Sequence, residues 1–173
     1  DKVTLGNEIS QALLRLILVT CIFVYTLVYA FILQGEIFHD YTILLLVYIL
    51  IALAEYFASQ HYSLLAEENI HRIAYRIFTN ILDNSLLAVA MILLGHAGSP
   101  LFLIFLWITF GIGIRYGVEY FMMSAVLNIL SFSSVIYFSP YWHNQEVLLI
   151  ALGLLLSLII LPMYVYSLVA RLS

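Results

Sequence analysis

Between residues 12 and 33 the chain reads Ala-Leu-Leu-Arg-Leu-Ile-Leu-Val-Thr-Cys-Ile-Phe-Val-Tyr-Thr-Leu-Val-Tyr-Ala-Phe-Ile-Leu, with Arg15 as its one charge. A hydrocarbon core about 30 Å thick is crossed by roughly 20 apolar residues in a helix. Lipid offers no hydrogen bonds to the backbone, so a run of this kind is stable there only as a helix. Five more stretches repeat the pattern, at residues 41–60, 73–94, 100–114, 120–138 and 147–169. The fourth is short, about 23 Å at ~1.5 Å per residue. It is expected to continue through Arg115, whose long stem can carry the charge to the interface.

Composition agrees. Of the 173 residues, 65% are hydrophobic and 9% charged, where a soluble domain has about a quarter charged. The mean hydropathy is +1.09. So few charges cannot cover a water-facing surface, and the expected fold is an all-α polytopic membrane protein, one six-transmembrane-helix bundle over residues 1–173. The net charge of −4 is spread thinly with no basic tract, which argues against a nucleic-acid partner. Cys21 is the single cysteine and forms no internal disulfide. The chain opens on Asp1, as expected of a piece of a longer protein, and its start does not read as a cleavable signal peptide.

Orientation follows from lysine and arginine. Lys2 and Arg15 belong to the start, Arg72 and Arg76 to the second break, Arg115 to the fourth, and Arg171 to the end. All six fall on one side of a six-span chain, which predicts both termini in the cytoplasm. The opposite loops are short, so a ligand is met in or at the membrane. Tyr141 and Trp142 read as an outer aromatic belt, Tyr116 and Tyr120 as an inner one.

Polar residues inside the spans are the candidate sites. Glu55 stands in the second span and Asp83 near the middle of the third. A carboxylate at the bilayer centre costs at least ~2.5 kcal/mol on insertion scales. Asn80 and Asn84 are four apart and flank Asp83, giving the third span a polar stripe. One reading is a binding or protonation site; the other is hydrogen-bonded glue between helices, which also suits Asn128. The sequence has no H-E-x-x-H, G-x-S-x-G or C-x-x-C, so no catalytic site, cofactor or metal is expected. His39, His96 and His143 read as solvated loop residues.

The stretch Gly-Ser-Pro-Leu-Phe-Leu-Ile-Phe-Leu-Trp-Ile-Thr-Phe-Gly-Ile-Gly-Ile-Arg-Tyr-Gly, residues 98–117, carries three glycines near its end. Gly111, Gly113 and Gly117 miss the dinucleotide spacing by one residue, and no strand precedes them. Gly113 and Gly117 form a small-xxx-small pair that permits close helix packing. Ser99 is read as a helix cap with Pro100 at the first position, a positive dipole end suited to a carboxylate headgroup.

The run Ser99-Pro100-Leu101-Phe102 to Leu106-Trp107-Ile108-Thr109, then Gly113-Ile114-Arg115-Tyr116-Gly117, resembles the membrane input region of RpfC-type sensor histidine kinases. Glu8 with Gln11 and Arg15, Leu82-Asp83, Ser139-Pro140-Tyr141-Trp142 and Leu161-Pro162-Met163-Tyr164 extend the likeness over nearly the whole chain. The resemblance implies a bacterial inner-membrane sensor of diffusible signal factors, which are cis-2-unsaturated fatty acids. It implies perception through acidic and hydroxyl residues before the first span. Asn7 and Glu8 occupy those positions here, and Gly6 replaces an acidic one. The family is often drawn with five spans and an outward N-terminus, where the charge count favours six and an inward one.

The combined reading is a non-enzymatic sensor domain of a hybrid histidine kinase whose kinase domains would follow Arg171. Its signal candidates are Asn7, Glu8, Glu55, Asn80, Asp83, Asn84, Ser99, Trp107 and Arg115. Pro162 loosens the last helix, which runs through Tyr164 and Leu168 to Arg171 as the lever on cytoplasmic kinase domains, in a homodimer surrounded by membrane lipid. Alternatives are a receptor for another apolar autoinducer such as an α-hydroxyketone, a small proton- or ion-coupled transporter using Asp83 and Glu55, and a purely structural assembly subunit.

Overall fold

A computed structural model describes residues 2–33, 38–66 and 69–172. The chain is helical in α1 (Lys2–Leu33), α2 (Phe38–Tyr62), α3 (Ile70–Leu94), α4 (Phe102–Tyr116), α5 (Val118–Phe138) and α6 (Gln145–Leu172). Short 3-10 segments, Gly95–Leu101 and Pro140–His143, precede α4 and α6. No strand occurs among the described residues. The helices divide into two compact units, Asp1–Thr79 and Asn80–Ser173, with the division inside α3.

Helices α1, α2 and α4 each bury one narrow seam, while α3 buries a broader face that includes Thr79, Ala88 and Ala90. On α2 the buried positions are Leu45, Tyr48, Ala52, Glu55 and Ser59, in alternating steps of three and four. On α1 they are Glu8, Ala12, Ile22 and Thr26, which fall on the same repeat. A repeat averaging about 3.5 residues keeps one stripe facing a partner helix in left-handed, coiled-coil-like packing. Ala12 and Ala52 let the two backbones approach, as small residues do at membrane helix contacts. Arg15 early in α1 meets Glu55 late in α2, so the two helices run antiparallel.

The second unit uses the same device. Asn80, Asn84, Leu87 and Met91 line α3; Phe102, Phe105, Thr109 and Ile112 line α4; Phe121, Ala125, Asn128, Phe132 and Val135 line α5. Phe132 gathers the aromatic core, with ring centroids 5.0 Å from Phe102, 6.1 Å from Phe105 and 5.5 Å from Trp142. Outward positions stay apolar: Ile114 is 86% exposed and Leu149 74%, as helices bathed in hydrocarbon require.

Two expectations need correction. Among the described residues five helical stretches, not six, are long and apolar enough to cross a membrane. Residues 95–101 were expected to break the chain as a loop, but they form 3-10 turns, so Ile70–Tyr116 has no non-helical residue even though the chain turns back there. Within it α4 has 15 residues, short of the roughly 20 that a crossing asks for. The six-span count, and with it the placing of both termini on one side, is not supported by these helices. Trp142, expected in an outer belt, is 1% exposed and packs edge-on against Phe132. The 3-10 turn after Ser139 points the indole inward.

Candidate functional site

The first unit collects charged side chains in its interior. Asn69 starts α3: its carbonyl accepts from the amides of Arg72 and Ile73 at 3.0 and 3.1 Å, and its side-chain oxygen accepts from His71 N at 2.9 Å. This cap sets the phase of the helix, so that Arg72 and Arg76, four apart, point from one face. Both reach Glu8 on α1.

The geometry is a fork. Arg72 donates Nε to Glu8 Oε1 and Nη2 to Oε2, each at 2.8 Å. Arg76 donates Nε and Nη2 to Oε1 at 3.0 and 2.6 Å. Arg72 Nη1 also donates to the Leu65 carbonyl at 2.8 Å, tying the turn after α2 into the cluster. The Glu8 side chain is 0% exposed and those of Arg72 and Arg76 3% and 9%. Paired guanidinium–carboxylate bonds of this kind are charge-assisted and directional. Breaking a buried set from one side is strongly destabilising.

Further along the same seam, Arg15 and Glu55 form a second buried ion pair at 2.9 Å. The Tyr75 hydroxyl donates to the Glu55 carbonyl at 3.0 Å, and Tyr75 stacks on Tyr62 at 4.6 Å. Glu8, Arg15, Glu55, Arg72 and Arg76 thus tie α1, α2 and the first half of α3 together. Chemically, two guanidiniums on one carboxylate make a carboxylate-recognising centre.

The remaining candidates fall elsewhere. Asn80 and Asn84 are buried and bonded to each other in the second unit, and Asp83 beside them is half-buried. Trp107 is 58% exposed on the outer face of α4. Arg115 folds back to donate to the Gly111 carbonyl at 2.9 Å. On α6, Pro162 is buried, while Tyr164 and Leu168 are exposed. The side chains of Asn7 and Arg171 lie outside the described residues.

Ser99 does not cap α4: its hydroxyl donates back to the His96 carbonyl at 2.8 Å. The 3-10 turns run straight into α4, so that helix has no open start for a headgroup. Gly113 of α4 lies tight against Phe121 of α5, with no room for a side chain. Gly117 does a different job from the packing role expected of it. It ends α4 with φ +94° and ψ −177° and has nothing within 4 Å of a Cβ position.

Arg72 and Arg76 entered the sequence reading only as markers of orientation. The signal for them was an arginine pair at helical spacing directly after an Asn cap, in a chain that carries Glu8 one turn ahead of its first apolar run.

No family model and no solved structure matches the chain. Over 98 residues, 57% of its length, it is 35% identical to the "Sensory/regulatory protein RpfC" of Xanthomonas campestris pv. campestris, in each of two strains. The chain spans 13% of the length of those relatives. Over that stretch it is related to the RpfC-type sensory/regulatory proteins.

Proposed function

We propose that this chain is the input region of an RpfC-type hybrid histidine kinase in the bacterial inner membrane, and that it perceives a diffusible carboxylic acid with an apolar tail. A cis-2-unsaturated fatty acid is the expected form. The observation that carries this reading is the buried fork of Arg72 and Arg76 on Glu8. It ties the segment where perception is expected to the start of α3.

An incoming carboxylate has the same two oxygens as Glu8 and competes for the same guanidiniums, while its tail lies along the apolar face of α1. Displacing Glu8 unlocks α1 from α3, and a signal that favours the unlocked packing shifts the population toward it. Helix α6, carrying Pro162, leads on to the kinase domains, with a homodimer as the working form. Helix α4 serves as a short return crossing. Gly113 meets Phe121 and Phe102 meets Phe132, so α4 runs against α5. Asn80 meets Ser124 and His96 meets Tyr141, so α3 runs with α5.

The test is autophosphorylation of the full-length kinase in membrane vesicles, with a cis-2-unsaturated fatty acid or its methyl ester. The acid should change the output and the ester should not, while Glu8→Gln should move the basal output toward the acid-bound level. Equal potency of acid and ester would remove the guanidiniums from the mechanism and favour a neutral signal such as an α-hydroxyketone.

A further inference from the structure

The second unit holds a cluster of side-chain amides with more hydrogen-bonding capacity than its neighbours use. Asn80 is 0% exposed, Asn84 1% and Ser124 0%. Asn84 Nδ2 donates to the Asn80 carbonyl at 2.9 Å and to Asn80 Oδ1 at 3.0 Å. The Ser124 hydroxyl of α5 donates to the same Oδ1 at 3.3 Å.

These bonds fix both amides. Turning Asn84 would set its oxygen against the Asn80 carbonyl, and turning Asn80 would set one NH2 group against the other. Two atoms are then left without a hydrogen-bond partner among the described residues: Asn80 Nδ2, a donor, and Asn84 Oδ1, an acceptor. One turn along α5, Asn128 Nδ2 donates to the Phe105 carbonyl at 2.6 Å and to the Thr109 hydroxyl. Its Oδ1 is a third such atom. In an apolar interior, bare amide atoms are costly and uncommon.

We propose that Asn80 and Asn84 form a binding site for a neutral hydroxylic guest, one that accepts from Asn80 Nδ2 and donates to Asn84 Oδ1. A water molecule has this chemistry, and so does the protonated carboxyl group of an acyl chain. A bare anion does not suit an open carbonyl with Asp83 adjacent on the helix, and a cation does not suit the open NH2. Buried water commonly takes such a position where polar groups would otherwise go unpaired. The guest completes the hydrogen bonding of the two α3 amides, one of which Ser124 of α5 already holds, and the site stands or falls independently of Glu8.

The test uses the full-length protein in lipid nanodiscs, imaged at a resolution that shows ordered water. A density feature within hydrogen-bonding distance of both amides is expected, compact for water and elongated for an acyl acid. An empty space between well-resolved amides overturns the proposal. As a second measurement, Asn80→Leu with Asn84→Leu removes both groups at nearly constant shape. A guest-filled site predicts a lower melting temperature, because the guest and its bonds are lost. A rise in melting temperature means the amides were bare, and it also overturns the proposal. Native mass spectrometry with added dodecanoic acid separates the two sources. An adduct retained in Glu8→Gln and lost in the double variant identifies an acid, and the compact density without an adduct identifies water.

Discussion

Gly113 of α4 lies against the ring of Phe121 of α5 so closely that a Cβ at Gly113 would stand 2.5 Å from Phe121 Cδ2 and 2.9 Å from its Cβ. The ring occupies the space that any side chain would need. Gly113→Leu should therefore destabilise the second unit by about 1–3 kcal/mol or more, as overpacking does. Gly111→Ala meets only the flexible end of Arg115, at 3.1 Å, and should stay within about 0.5 kcal/mol of the parent. Thermal unfolding in detergent compares them, and equal melting temperatures would contradict the close approach.

Gly117 and Gly153 make a pair with opposite expected signs. Beyond its own local backbone, neither has an atom within 4 Å of where an alanine methyl would stand, but only Gly117 has a positive φ, at +94°. Gly117→Ala should cost about 1–3 kcal/mol through backbone strain. Gly153→Ala, inside α6, should stabilise by roughly 0.5–1 kcal/mol. The same unfolding assay reads both, and a harmless Gly117→Ala would mean the α4–α5 joint has another conformation.

The fork on Glu8 predicts an asymmetry. Glu8→Leu leaves two buried guanidiniums facing each other and should cost about 3–5 kcal/mol. Adding Arg72→Leu and Arg76→Leu to Glu8→Leu should recover much of that loss, because an apolar replacement of a buried ion cluster is often neutral or better. Chemical unfolding of the single and triple variants decides it. A triple variant weaker than Glu8→Leu alone would show that the arginines stabilise through other contacts.

The Arg15–Glu55 pair, with side chains 11% and 8% exposed, should show a coupling of about 0.5–3 kcal/mol in a double-mutant cycle. The exchange Arg15→Glu with Glu55→Arg should recover part of what either single change loses. Strictly additive effects would show that the two charges do not act on each other.

Topology can be read by cysteine labelling in a Cys21→Ser background, since Cys21 is exposed. On the proposed return crossing of α4, cysteine at His96 should label from one side of the membrane and cysteine at Glu119 from the other. Labelling of both from the same side would show that α4 does not cross.

The chain's helical class was legible because apolar runs of membrane length allow nothing else. The misreadings have local causes. Gly95-His96-Ala97-Gly98-Ser99-Pro100 has the chemistry of a loop, yet it winds into 3-10 turns in which Ser99 bonds back to His96 and the missing N–H of Pro100 does no harm. Gly117 is four residues from Gly113 in the sequence, but α4 ends at Tyr116, so the shared-face argument stops one residue short. Asn80 and Asn84 could be put on one face from spacing alone. That Ser124 meets them, or that Arg72 reaches Glu8 across 64 positions, is long-range pairing that no local pattern records.

The single-residue joint at Gly117 bears on how the protein enters its membrane. Helix α4 is marginal as an independent crossing, and one glycine gives α5 no slack to follow later on a separate path. On the proposed return crossing, α4 and α5 therefore enter the bilayer as one hairpin, joined at Gly117 and closed where Gly113 meets Phe121.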